Sequence, residues 1–192
     1  MRFMDIKKSL TAKDMAFCGL FAALIGVGAF LKISIPVEPF PMHFTLQLFF
    51  VLLAGFILGN KKGALCVCIY LGVGLVGIPV FAAGGGPAYV IRPTFGFLLG
   101  FVLAAYVTGS LSSVKGKGNV RWNVFAAFLG MMMYYGIGMI YFYVISNFII
   151  SKSVTWQIVF INCFLITVAG DFILCILAAA LAHRLRAFDR WI

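Results

Sequence analysis

The chain has 192 residues, 64% of them hydrophobic and 10% charged, with 15 Lys and Arg against 5 Asp and Glu and a mean hydropathy of +1.10. An ordinary soluble domain carries about 45 to 50% apolar and about 25% charged residues, so that class is excluded. The formal charge of +10 lies in short basic clusters between long apolar runs, which excludes a single basic surface for nucleic acid.

Apolar runs near 14–33, 44–59, 63–80, 94–112, 122–148 and 156–183 predict six membrane-spanning helices, a bilayer requiring roughly 20 residues for each. The expected fold is an all-α polytopic bundle, and the connections are too short to fold separately, so residues 1–192 are expected to form one integral membrane domain. The first span follows Lys7, Lys8 and Lys13 but is long for the apolar core of a signal peptide, and it is read as a retained helix. Gly19-x-x-x-Ala23, extended by Ala12-x-x-x-Ala16, presents small residues at helical spacing. Such a stripe serves either packing within the bundle or docking of another membrane subunit. In the second span Gln47 is an intramembrane amide, suited either to bonding between helices or to a ligand contact.

After the third span, residues 77–96 read GIPVFAAGGGPAYVIRPTFG. Glycine and proline at this density prevent a continuous helix, and irregular backbone at membrane depth is tolerated where protein or a watery cavity surrounds it. Gly84, Gly85 and Gly86 with their N–H groups, Phe81 and Tyr89 with their aromatic faces, Thr94 and the cation Arg92 form a candidate small-molecule pocket. The alternative is a plain connecting loop. In the last span Asp171 is a carboxylate near mid-span, where burial costs about 2.5 to 3.5 kcal/mol, so it is expected to face the interior and to function there, the alternative being a structural role in which it accepts hydrogen bonds from Ser, Thr, Asn or Tyr on neighbouring helices. Asn162, in the same span, is expected to bond helix to helix.

Lys and Arg fix an expected orientation. Arg2, Lys7, Lys8, Lys13, Lys61, Lys62, Lys115, Lys117, Arg121, Arg184, Arg186 and Arg190 fall on one side, and only Lys32, Arg92 and Lys152 on the other, which predicts cytoplasmic termini. The five cysteines are read as buried small apolar residues, and His43 and His183 are too far apart for a metal site or a catalytic triad. No phosphate-binding GxxxxGK[ST], HExxH or GxSxG motif occurs.

The stretches PFPMHFTLQLFFVLLAGFILGNKKGAL (39–65), YLGVGLVGIPVFAAGGGPAYVIRPTFGFLLGF (70–101) and AGDFILCILAAALAHRLR (169–186) resemble the BioY family, the biotin-capturing S components of energy-coupling factor (ECF) vitamin transporters. The middle stretch is the most specific. The resemblance implies a six-helix protein of the bacterial cell membrane that binds biotin from outside with high affinity. It would deliver the vitamin inward with a transmembrane coupling subunit and two cytoplasmic ATPases. No enzymatic activity, metal or cofactor is implied, biotin being the transported ligand. Asp171 would accept the ureido N–H groups, Arg92 would meet the carboxylate, and Gly19 with Ala23 would dock the coupling subunit. Family members commonly carry prolines at the places of Ile166 and Ala169 and a lysine at that of Leu174, so another small vitamin stays open as the ligand. A membrane-embedded enzyme using Asp171 is the remaining alternative.

Overall fold

The computed structural model describes residues 10–37, 40–114 and 119–186. Of the expected topological anchors, Arg2, Lys7, Lys8, Lys115, Lys117 and Arg190 lie outside the described residues, as does the side chain of Arg186.

Helix α1 (Ala12–Phe30) starts at a capping box in which Thr11 and Asp14 each accept the other's backbone N–H at 3.2 Å. Such a cap contributes about 1 kcal/mol. Asp14 also pairs with Lys62, which ties this end of α1 to the next element. Strands β1 (Lys32–Ile35) and β2 (Met42–Thr45) then form an antiparallel hairpin with Lys32 opposite Thr45 and Ile35 opposite Met42. The apolar pattern predicts only a connection over 34–43. The hairpin forms because Pro36, Pro39 and Pro41 forbid a helix here while KISI and MHFT supply extended, partly β-branched segments.

Helix α2 (Gln47–Leu75) contains two of the expected spans. It breaks at Gly59, whose φ of 80° is a conformation that costs other residues about 1 to 2 kcal/mol. Beyond it the chain doubles back: a β-carbon on Gly63 would stand 2.9 Å from Gly55 Cα, whereas eight residues of straight helix span about 12 Å. Among the described residues five helical stretches are long and apolar enough to cross a membrane, and the difference from six lies at this fold-back.

A loop containing a 3-10 turn (Pro87–Ile91) leads to α3 (Phe95–Ser112), then to α4 (Val120–Val144), which continues through a π-turn over Ile145–Ile149. The last expected span is interrupted. A short α5 (Trp156–Phe160) runs into a π-turn (Ile161–Leu165) before α6 (Val168–Arg186) restores α geometry, so Asp171 sits in the first turn of α6.

Small residues let α3 lie in backbone contact with its neighbours. A β-carbon on Gly55 would meet Ala105 O at 2.5 Å, one on Gly100 would meet Tyr134 O at 2.7 Å, and one on Gly109 would meet Asn60 N at 2.5 Å. The α1 stripe behaves differently. Ala12, Ala16, Gly19 and Ala23 are exposed and Gly19 has nothing within 4 Å, while Cys18, Phe21, Ala22 and Ile25 on the other face are buried. Cys66, Cys163 and Cys175 are buried as expected, but Cys68 is exposed on the bundle surface.

Candidate ligand cavity

The cavity opens where three segments meet: the turn between β1 and β2, the loop 81–94, and the connection between α4 and α5. Its wide mouth is lined by Phe40, Pro41, His43, Ala83, Ala88, Ile91, Arg92, Pro93, Thr94 and Ile150. Below it a tighter middle chamber is bordered by Met42, His43, Thr45, Gln47, Ala82, Tyr89, Thr94, Phe97, Leu98, Phe101 and Tyr134. The narrow floor adds Phe44, Leu48, Thr167 and Asp171. The three share walls and overlap, so they form one tapering cavity whose carboxylate lies at the closed end.

Asp171 is 3% exposed. The Tyr135 hydroxyl donates to its Oδ2 and lies 2.8 Å from Thr167 Oγ1, which in turn donates to Cys163 O at 3.0 Å. The interruption before α6 makes this possible, because Thr167 in the turn bonds back to the π-turn and its carbonyl accepts the Asp171 N–H at 3.0 Å. Irregular helical turns of this kind concentrate at functional sites. One phenolic donor leaves most of a carboxylate's roughly four acceptor positions unused by Tyr135. Above the floor Tyr134 stacks on Phe101 at 5.0 Å and meets Tyr135 edge-on at 4.8 Å, giving the middle chamber an aromatic wall.

At the mouth Arg92 is exposed, with its guanidinium carbon 5.1 Å from the centre of the Tyr89 ring, so a cation–π contact holds it over the opening. Tyr89 is buried against Phe81 and Phe95. Across the mouth Lys152 stands 5.1 Å from the centre of Phe40. Lys32 donates to Ala82 O and clips the β-hairpin to the loop. His43 contacts Ser34 Oγ through Nδ1 at 3.0 Å, and burial, with the charges of Lys32 and Arg92, holds its pKa below the usual imidazole value.

The cavity therefore gathers Asp171, Arg92, Tyr89, Thr94 and Gln47 from the sequence candidates. Gln47, 2% exposed, donates to Tyr70 Oη at 2.7 Å and accepts from Thr45 at 3.3 Å, so it both bonds between neighbours and lines the chamber. The glycines stand elsewhere. The Gly84 N–H goes to Phe81 O at 3.1 Å and the Gly86 N–H to Gly74 O at 2.7 Å, while Gly85 packs so tightly that a β-carbon would meet Ile78 O at 2.4 Å. The Gly84 N–H closes the loop on itself and the Gly86 N–H ties it to the end of α2, so neither is offered to a ligand. Phe81, in contact with Tyr70, Tyr89 and Phe95, supports the loop from behind. Asn162 is half-buried in the π-turn, and Leu174 is buried. Sequence reasoning missed His43, Tyr134, Tyr135 and Thr167. Thr167 had a signal, since a hydroxyl four residues before Asp171 shares its helical face.

Apolar helices closing over a tapering cavity with a carboxylate floor and a cationic mouth define a multi-pass membrane protein built to hold a small molecule. The BioY family model matches residues 4–190, and the chain belongs to the BioY family. It is 40% identical over 93% of its length to the probable biotin transporter BioY of Lysinibacillus sphaericus, covering 89% of that protein. It is 38% identical over 92% of its length to the biotin transporter BioY of Thermotoga maritima, covering 98% of that protein. The crystal structure of the S-component for biotin from an ECF-type ABC transporter superposes with a TM-score of 0.80 over 95% of both chains, and at 24% identity that likeness establishes the fold.

Proposed function

We propose that the chain is a high-affinity biotin-capturing S component of an ECF-type vitamin transporter, acting as one membrane domain and carrying out no chemistry on its ligand. The observation that supports this reading most is the polarity of the cavity, with a buried carboxylate at its floor and an exposed guanidinium at its mouth. Biotin has the matching arrangement: a ureido group with two N–H donors at one end and a carboxylate at the other. Asp171 accepts the ureido N–H groups at lone pairs that Tyr135 leaves unused, a charge-assisted contact of about 1.5 to 3 kcal/mol. The bicyclic ring lies against Tyr134 and Phe101, and Arg92 pairs with the carboxylate.

In this reading the mouth faces outside and both termini are cytoplasmic. The exposed stripe of Ala12, Ala16, Gly19 and Ala23 docks a transmembrane coupling subunit, which two ATPases drive. Its exposure favours docking over packing within the bundle. The decisive experiment is equilibrium binding of labelled biotin to the purified protein in detergent. Tight, saturable binding is the expected result. Failure to bind biotin, with a different vitamin co-purifying, overturns the assignment.

A further inference from the structure

Among the residues bordering the cavity, His43 alone lines all three chambers, from the Arg92 mouth to the Asp171 floor. It stands on β2, between the mouth and the floor. Ser34 Oγ engages Nδ1 at 3.0 Å, so one edge of the ring is fixed by the hairpin, and Nε2 has no protein hydrogen bond among the described residues.

The charges around it come from every side. Lys32 on β1 and Arg92 on the loop act on it directly. Lys152, from the connection between α4 and α5, sits over Phe40 at the same mouth. Asp171 on α6 lies at the floor that His43 also borders, and the phenols of Tyr89 and Tyr134 line the middle chamber. Partial burial and the two neighbouring cations disfavour a third positive charge. A carboxylate placed beside Arg92 reverses the local field, because an opposite charge nearby favours the protonated ring.

We infer that His43 is a further ligand-contacting residue, which takes up a proton as a carboxylated ligand enters and so makes capture tighter in mildly acidic surroundings. The inference rests on the reading that the mouth receives the ligand's carboxylate. The sign follows from linkage: the bound form holds more protons than the free form between the two His43 pKa values, so affinity rises as pH falls through that window. One linked proton limits the effect to about tenfold per pH unit.

The test is calorimetric titration of the purified wild-type protein with biotin, from pH 8 to pH 6, in two buffers of different ionisation enthalpy. The same titrations are made with biotinamide, which lacks the negative charge. Expected are net proton uptake with biotin, a dissociation constant that falls several-fold from pH 8 to pH 6, and neither effect with the amide. His43→Gln should flatten the biotin profile. No proton uptake with biotin overturns the inference. Equal uptake with the amide, or uptake that survives in His43→Gln, also overturns it by assigning the proton to another group such as Asp171. The comparison of acid with amide on the wild-type chain decides the matter even if the variant does not fold. Absence of biotin binding at every pH removes the functional reading itself and is distinguishable from all of these.

Discussion

The floor of the cavity holds a buried carboxyl group and the mouth an exposed guanidinium, and they are held in opposite ways. Asp171 is 3% exposed and fixed by Tyr135, whose hydroxyl lies beside that of Thr167, and Thr167 in turn donates to the π-turn before α6. Arg92 is exposed and rests on the face of Tyr89 at 5.1 Å. A buried, hydrogen-bonded carboxylate acts in a low-dielectric setting where a missing partner costs a few kcal/mol, so the floor can reject ligands that lack paired donors. An exposed guanidinium is solvated and screened over about 8 Å at physiological salt, so in the proposed reading the mouth would steer anions more than select among them.

Four substitutions would break or sharpen this contrast. The largest effect on affinity is expected at the floor, where Asp171→Asn should weaken biotin binding by about 1 to 3 kcal/mol, with little dependence on salt. Titration with labelled biotin at two ionic strengths checks both points, and unchanged affinity would remove Asp171 from the site. Tyr135→Phe removes only the orienting phenol and should cost about 1 kcal/mol, without the ligand losing a direct contact. A loss as large as that of Asp171→Asn would mean that Tyr135 itself meets the ligand. Arg92→Gln should cost about 0.5 to 1 kcal/mol at low salt and less at high salt, with the change mainly in association rate, as stopped-flow mixing would report. A salt-independent loss would place Arg92 in a desolvated contact and erase the contrast. Gly19→Leu lies on neither end and should leave affinity in detergent unchanged while abolishing uptake in cells. If binding falls equally, the α1 stripe serves the bundle's own packing.

Much of this was legible in the sequence, and what was missed has a common cause. The apolar runs located every long helix because hydrophobic length is a local property. Asp171 and Arg92 stood out for the same reason, a charge being costly against an apolar background. The fold-back at Gly59 was harder to read, since a glycine within a helical pattern looks the same whether it bends, breaks or packs the helix. Gly84 and Gly86 were correctly seen as loop-forming but wrongly given free N–H groups, because their acceptors, Phe81 O and Gly74 O, become apparent only when the loop closes. His43 looked isolated because, beyond its partner Ser34 on the adjacent strand, the groups that share its cavity come from the loop and α6, far away along the chain.

The sequence by itself determined a chain for the bilayer, the places where its helices run, and the two charges worth attention, since composition and hydrophobic periodicity act over a single turn or span. Only the tertiary structure decided that Asp171 and Arg92 close the two ends of one cavity, that His43 borders all of it, and that the stripe of Ala12, Ala16, Gly19 and Ala23 on α1 faces outward while the small residues of α3 face in. These are relations between segments distant in sequence, set by which helix backbones approach closely enough to touch, and no single stretch of residues encodes them.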